Sequence, residues 1–154
     1  MGRRQRRRHA ARAAAFVDDH LPSVWRYVAG RLADPGHAAE VTRSVLGSVD
    51  PRLLSDDDET TLRRLVLTRA RRAVAERDVA GPSGPPSAGA APAWLCEGVA
   101  ELDDDAREAL VLLDVATVPL EEVAALWGIS ADEVLEHRRR AHEQLVARLV
   151  GGGS

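Results

Sequence analysis

The sequence predicts an all-α protein made of two small helical domains joined by a Pro/Gly/Ala linker. Apolar residues recur at three- and four-residue spacing along most of the chain, which is the period of an α-helix. The chain has no alternating run of β-branched residues and no Asn-Gly or Asp-Gly hairpin turn. Residues 81–92 contain only Gly, Pro, Ser and Ala, a composition typical of a linker.

Length and composition agree with this division. The chain has 154 residues, 45% hydrophobic and 29% charged, which is the range of globular proteins. Aromatic residues make up 3% of it, so we expect a core of Leu, Val and Ala. The expected segments are a basic disordered arm (1–14), a front helical domain (15–80), the linker (81–93), a back helical domain (94–150) and a tail (151–154).

Four helices are predicted in the front half. The first covers residues 10–20, and Pro22 suits the first turn of the second, because proline is favoured at helix starts. Asp-Pro-Gly at 34–36 ends the second helix. The third helix covers 38–49 and the fourth covers 60–78. The expected core residues are Val24, Trp25, Val28 and Leu32, then Ala38, Val41, Val45, Leu46 and Val49, then Leu62, Leu65, Val66, Ala70, Ala73 and Val74.

Four more helices are predicted in the back half. A short helix covers residues 94–102, and Asp103 caps the start of the next one. Pro119 begins a third helix, which Gly128 ends in a left-handed conformation. Ser-Ala-Asp-Glu at 130–133 forms a capping box for the last helix. The expected inward residues are Ala109, Leu110, Leu112 and Leu113, then Val123, Ala124 and Leu126, then Val134, Ala141, Leu145 and Leu149.

A helix-turn-helix is predicted at residues 119–141, which read PLEEVAALWGISADEVLEHRRRA. This motif consists of a short helix, a glycine turn and a capped longer helix. Gly128 permits the sharp turn, and apolar residues on both sides lock the helices together, so that the second helix can enter a major groove. An ordinary helical hairpin is the alternative interpretation, and Trp127 is expected to fill the core.

Charge is unevenly divided along the chain. Residues 1–80 carry 16 Arg and 11 acidic residues, and residues 81–154 carry 5 Arg and 13 acidic residues. We therefore expect the acidic back half to pack against the basic fourth helix of the front half. The basic stretch at residues 2–12, GRRQRRRHAAR, is either a disordered leader or an arm that lies on DNA or another polyanion.

Both halves resemble the extracytoplasmic-function sigma factors of bacterial RNA polymerase. Region four of that family is similar to AELDDDAREALVLLDVATVPLEEVAALWGISADEVLEHRRRAHEQLVARL. Region two is similar to FVDDHLPSVWRYVAGRLADPGHAAEVTRSVL and LRRLVLTRARRAVAERD. The resemblance covers roughly residues 15–150. It implies a cytoplasmic transcription protein that binds core RNA polymerase and promoter DNA, helps to melt the promoter, and is held by an anti-sigma protein.

The resemblance also implies three sets of site residues. The residues that it assigns to DNA recognition by the helix-turn-helix are Ser130, Glu133, Glu136, His137, Arg139 and Arg140. Contact with DNA by the melting helix falls to Arg64, Thr68, Arg69, Arg71 and Arg72. Binding to the polymerase clamp falls to Asp34, Glu40, Val41, Arg43, Val45 and Leu46.

Several positions depart from the family pattern and support a second hypothesis. Glu40 follows Ala39 where the family has an acidic pair, Arg43 replaces a glutamine, and Leu62 or Leu65 stands at the usual aromatic position of the melting helix. The outward face of the last helix carries four acids against two arginines, which weakens attraction to DNA. The alternative is a degenerate sigma-like module, a decoy or regulator that binds an anti-sigma protein or polymerase without reading promoters. A dimeric helix-turn-helix repressor is a third option, although no dimerisation helix is predicted.

Other classes find no support in the sequence. One cysteine, Cys96, excludes an internal disulfide framework. The five histidines do not fall at metal-ligand spacing with acids, and no glycine-rich phosphate loop is present. No apolar run approaches the length of a membrane span. We therefore expect no enzyme activity, no cofactor, no metal and no membrane insertion.

Overall fold

The structure is a computed structural model that describes residues 2–32, 34–50, 59–78 and 98–151. Its helices are α1 (Arg3–Arg31), α2 (Pro35–Gly47), α3 (Glu59–Asp78), α4 (Asp104–Leu110), α5 (Leu120–Trp127) and α6 (Ala131–Gly151). A π-helical turn, Val111–Val115, continues α4. The described residues contain no strand, so the all-α prediction is confirmed. The predicted linker at 81–93 lies outside the described residues, as do residues 94–97 of the predicted helix at 94–102.

The first helix corrects two predictions. It begins at Arg3, so residues 3–14 are helical rather than a disordered arm. It also continues through Pro22, where a new helix was expected. Proline inside a helix loses one hydrogen bond and costs about 3 kcal/mol. Burial of one face of α1 on both sides of the proline offsets this cost, because Phe16, Val24 and Val28 are all buried there.

One apolar core crosses the contact between the two halves. Tyr27, Val28 and Val66 of the front half belong to the same buried cluster as Leu112 and Val123 of the back half. α1 contacts the π-helical turn, and α3 contacts α5. The acidic back half therefore packs against the basic helix α3, as the charge distribution predicts.

A smaller cluster joins α4 to α6. It contains Leu102, Ala106, Leu110 and Ala141. Asp103 caps α4 as predicted, since its side chain accepts a hydrogen bond from the backbone N–H of Ala106 at 2.9 Å. Near the end of α6 the sequence prediction was wrong, because Leu149 is 55% exposed. The described part of the back half ends there without an element that covers this side chain.

Gly30 marks a close approach of α1 to the π-helical turn. A Cβ atom at this position would stand 2.8 Å from Cγ1 of the buried Val111. We expect Gly30→Ala to lower the free energy of unfolding by about 1 to 2 kcal/mol, because the added methyl group must displace Val111. Chemical denaturation measures this change. Gly47→Ala is the matched control, since nothing lies within 4 Å of a Cβ there; equal destabilisation by both variants would contradict the close approach.

Candidate nucleic-acid interface

The predicted short helix, glycine turn and longer helix are present at α5, Gly128 and α6. Gly128 has φ 70°, the left-handed conformation, and its N–H donates to the carbonyl of Ala124 at 2.9 Å. The N–H of Ile129 donates to the same carbonyl at 3.2 Å, which completes the turn. Val123 and Val134 are fully buried between the two helices. The angle between α5 and α6 is thus fixed by a glycine turn and an apolar contact, as the sequence predicts.

The capping box at the start of α6 is also present. The backbone N–H of Ser130 donates to the carboxylate of Glu133 at 2.8 Å, and the N–H of Glu133 donates to Oγ of Ser130 at 3.2 Å. The carboxylate of Glu133 also accepts from the hydroxyl of Ser130 at 2.8 Å, and the backbone N–H and then the hydroxyl of Ser130 hold the pKa of Glu133 below its ordinary value. Both residues were predicted to contact DNA, yet their side chains are already paired with each other in the free protein.

We expect Ser130→Ala to destabilise the protein by about 1 kcal/mol, because an N-terminal donor of α6 loses its acceptor. Thermal unfolding measures this loss. The carboxylate of Glu133 contributes stability above its unfolded-state pKa, and that contribution is lost as the pH falls through the lower folded-state pKa. The effect of the substitution should therefore shrink in acid; a constant effect at all pH values would contradict the reciprocal cap.

The outward face of α6 is neutralised by its own acids. Nε of Arg139 donates to Glu136 at 2.9 Å, and Nη1 of Arg139 also pairs with Glu143. The hydrogen bond from Arg139 is the largest cause that lowers the pKa of Glu136, while the pKa of Arg139 is raised. A guanidinium between two carboxylates attracts a phosphate weakly. This central arginine of the predicted recognition helix is therefore already paired with two exposed carboxylates in the free protein.

The neighbouring arginines of α6 also have acidic partners. Arg138 makes two hydrogen bonds to Asp114, at 3.0 and 2.6 Å, which raise the pKa of its guanidinium. Arg140 lies 3.9 Å from Asp103, a looser and more exposed pair. His142 lies 3.3 Å from Asp114 on the same side. Arg138 and Arg140 are thus paired with the acids that flank α4.

His137, which the resemblance assigns to DNA recognition, is half-buried. It packs against Trp127 with ring centroids 5.6 Å apart and ring planes at 71°. Its Nδ1 atom is buried without a hydrogen-bond partner among the described residues. The expectation that Trp127 fills the core is met in part, since Trp127 is half-buried and packs against the main core.

Arg71 was predicted to contact DNA, but it lies in the contact between the two halves. Its guanidinium pairs with Glu108, and the hydroxyl of Tyr27 donates to the same carboxylate at 3.3 Å. The Cζ atom of Arg71 also lies 5.6 Å from the ring centroid of Trp127, within cation–π range. Burial, and then the charge of Glu108, raise the pKa of Tyr27. Arg71 therefore connects α3 to α4 and α5.

A second ion pair crosses the same contact. Nη1 of Arg63 donates to Glu122 of α5 at 2.7 Å, and Nη2 donates to Glu59 at 2.7 Å. His20 lies buried close to this pair, and burial followed by the charge of Arg63 lowers its pKa. The site residues predicted from the sequence did not include Arg63, Glu108 or Glu122. The charge distribution predicted that the acidic back half meets helix α3. It could not predict which side chains pair, because the partners are far apart in the sequence.

The other residues of the predicted melting helix lie on the outer side of α3. Arg64 is exposed, and Thr68 donates to its carbonyl at 2.7 Å. Arg69 donates to the carbonyl of Ser48 at 2.6 Å, so it ties α3 to the end of α2. Arg72 pairs with Glu76 at 3.2 Å and remains largely exposed. Arg64 and Arg72 therefore form the accessible basic surface of α3.

Three of the predicted clamp-binding residues of α2 belong to the core. Val41, Val45 and Leu46 are buried, because α2 turns this apolar face toward α1 and α3. The prediction that Val41 and Val45 contact polymerase is therefore wrong, since their own fold covers them. Leu46 is 8% exposed and lines the edge of a surface groove between α1 and α2.

The polar members of that set remain accessible. Asp34 caps α2 by accepting from the N–H of His37 at 3.0 Å, which lowers its pKa. Glu40 lies 3.9 Å from Arg77, and Arg43 is exposed. Between α1 and α2 runs a groove of about 560 Å³, here called the α1–α2 groove. Its main lining side chains are Val17, Leu21, Trp25, Thr42, Arg43 and Leu46.

The described part of the chain offers neither a metal site nor a membrane-spanning helix. No group of three or more His, Cys, Asp or Glu side chains is placed to hold a metal ion there. Within the same residues, no helix is long and apolar enough to cross a membrane.

The chain is similar over nearly its whole length to a chain in a solved structure. That structure is described as the structure of CnrH in complex with the cytosolic domain of CnrY, with a TM-score of 0.64 and 21% sequence identity. The match covers 95% of this chain and 96% of that chain. No protein-family model matches the sequence, and no curated protein matches it. The chain thus has a fold similar to that of CnrH.

Proposed function

We propose that the protein is a sigma factor-like transcription initiation protein that binds core RNA polymerase and promoter DNA in the cytoplasm. The observation that carries this proposal is the similarity of the whole fold to CnrH, including both the front and the back helical sets. The helix-turn-helix with its left-handed glycine and capping box supports it. Nothing in the proposal requires a catalytic residue, a metal or a cofactor.

Core polymerase is proposed to bind at the α1–α2 groove. Leu21 and Trp25 are 41% and 38% exposed there, and large apolar side chains at a surface favour protein contact. Arg43 and the carboxylate of Glu40 lie along α2 and provide polar contacts at the rim. Val41 and Val45 act indirectly in this account, because they hold α2 against the core.

Promoter DNA is proposed to meet the outer side of α3 and the face of α6. Arg64 and Arg72 of α3 are exposed, and the phosphate backbone attracts such residues without base specificity. Arg71 joins this surface after it leaves Glu108 and Trp127. We therefore propose that the described conformation is a closed form of the free protein, and that binding of polymerase or DNA separates the halves.

A second candidate function is supported by the neutralised face of α6. Arg138 and Arg139 pair with Asp114, Glu136 and Glu143, so the helix that should read DNA offers little free positive charge. A protein of this kind could keep the fold for its protein contacts and act as a decoy or regulator. In the similar structure CnrH is bound to the cytosolic domain of CnrY, and we propose an anti-sigma protein as a partner of this chain under both functions.

Gel filtration with core RNA polymerase tests the shared step of both candidates. The initiation function predicts co-elution at low salt, and its loss when Leu21 and Trp25 are replaced by Ser. Leu135→Ser/Val146→Ser is a matched control, since these residues are also exposed but lie on α6. Absence of co-elution for the unaltered protein would contradict initiation. Co-elution without a DNA footprint would favour the decoy.

A further inference from the structure

The first part of α1 carries a dense positive charge that neither the core nor the helix-turn-helix uses. Residues 3–12, here called the basic arm, contain six arginines: Arg3, Arg4, Arg6, Arg7, Arg8 and Arg12. All six are exposed, and the first acidic residue of the chain is Asp18. No carboxylate of the described residues forms an ion pair with any of the six.

The arm differs in this respect from the other basic surfaces of the molecule. Arg63 and Arg71 are paired across the two halves, and Arg138 and Arg139 are paired around α6. At 100° per residue, the arginines of the arm occupy every side of the helix except the one that carries His9, Ala13 and Phe16. That side faces the body of the protein, since Phe16 is buried and the other two are half-buried.

The helical conformation of the basic arm is electrostatically unfavourable when no anion is bound to it. The first turn of α1 has no acidic residue and no side-chain cap, and positive charge at a helix N-terminus opposes the helix dipole. Arg3 and Arg7, Arg4 and Arg8, and Arg8 and Arg12 are also like-charged pairs at i, i+4, which destabilise a helix. A row of anions along the arm would remove both penalties. Anion binding is thus expected to stabilise this part of α1.

We propose that the basic arm is a binding site for the phosphate backbone of duplex DNA, without sequence preference. A helix about 10–12 Å in diameter fits a major groove about 12 Å wide, and arginines on opposite flanks then reach phosphates on both strands. Arginine forks bind phosphate oxygens in a bidentate manner. The arm has no Leu, Phe or Trp between Arg3 and Arg12, so it lacks the apolar face by which a helix enters a lipid interface.

This inference deepens the proposed function, because it adds a third DNA-contacting surface on the side of the molecule where α1 begins. It does not depend on polymerase binding or promoter recognition. The arm would supply the nonspecific attraction that the neutralised face of α6 lacks. A test without polymerase and without promoter sequence keeps failure of this inference separate from failure of the proposed function.

The experiment measures binding of the full chain to a labelled random-sequence DNA duplex by fluorescence anisotropy at several salt concentrations. Neutralisation of about six phosphates makes the affinity fall about 10³-fold between about 50 mM and 200 mM salt. Replacing all six arginines of the arm by Gln should reduce this fall to less than about tenfold and weaken binding at low salt. The same six positions changed to Lys should keep most of the salt dependence.

A charge-matched control separates the arm from net charge. Arg4→Gln/Arg8→Gln and Arg26→Gln/Arg77→Gln each remove two positive charges, and the second pair lies on the surface outside the arm. The arm pair should lower the slope of log affinity against log salt by about two units, and the control pair by less than half as much. Equal effects of the two pairs, or an unchanged slope in the six-Gln variant, would overturn the proposal. Tighter binding to vesicles of anionic phospholipid than to the duplex would overturn it in favour of a membrane surface.

Discussion

Glu108→Arg is expected to separate the front and back halves of the free protein. The substitution places two guanidinium groups together, removes the acceptor of the Tyr27 hydroxyl, and leaves Arg71 without its carboxylate. Breaking one partner of a buried pair costs about 3 to 5 kcal/mol, and the partial exposure of this pair reduces the expected loss to about 2 to 3 kcal/mol. Small-angle scattering should show a larger radius of gyration, and thermal unfolding should show two transitions instead of one.

Reversal of the pair and a surface control make this prediction specific. Arg71→Glu/Glu108→Arg restores an ion pair of opposite direction, so it should recover most of the compactness. Glu76→Arg introduces the same charge change beside Arg72, where both side chains are largely exposed, and should cost less than about 0.5 kcal/mol. An unchanged radius of gyration for Glu108→Arg would mean that the shared apolar core alone holds the halves together.

Glu136→Gln/Glu143→Gln is expected to raise the affinity of the helix-turn-helix for DNA about tenfold at low salt. The double substitution removes two negative charges and releases Arg139 from both of its carboxylate partners. One additional phosphate contact should steepen the salt dependence of log affinity by about one unit. Fluorescence anisotropy in the six-Gln background of the basic arm measures this change without the contribution of α1.

Asp104→Asn/Asp105→Asn provides the matched control, since it removes the same charge from an exposed helix start of the back half. It should change DNA affinity by much less than the α6 variant. Equal gains from both variants would mean that the acids of α6 act through net charge and that Arg139 has no special position. Discrete promoter footprints for the α6 variant, and none for the unaltered protein, would favour the decoy function.

Local signals in the sequence predicted local structure well. The turn at Gly128, the capping box of Ser130 and Glu133, and the cap at Asp103 are all present. Each depends on residues within four positions of one another, so the chain needs no tertiary partner to specify them. The helical class of the protein and the packing of the acidic half on a basic helix were also predicted.

Predictions that depended on tertiary context were less successful. The break at Pro22 is absent because packing on both sides of the proline outweighs its local cost. Val41 and Val45 were assigned to a binding surface by resemblance although their spacing already placed them in the core. Arg71 was assigned to DNA because its helix resembles the melting helix of the family. Its actual partners, Glu108 and Trp127, lie in the other half of the chain, so the local sequence does not predict them.

We propose that this protein directs transcription by RNA polymerase. Run-off transcription with purified core polymerase on a library of genomic promoter fragments, with and without the protein, tests it most directly. The account predicts discrete transcripts that appear when the protein is added and weaken when Arg64 and Arg72 are replaced by Gln. Absence of any new transcript, from a preparation that still co-elutes with core polymerase, would contradict the initiation function.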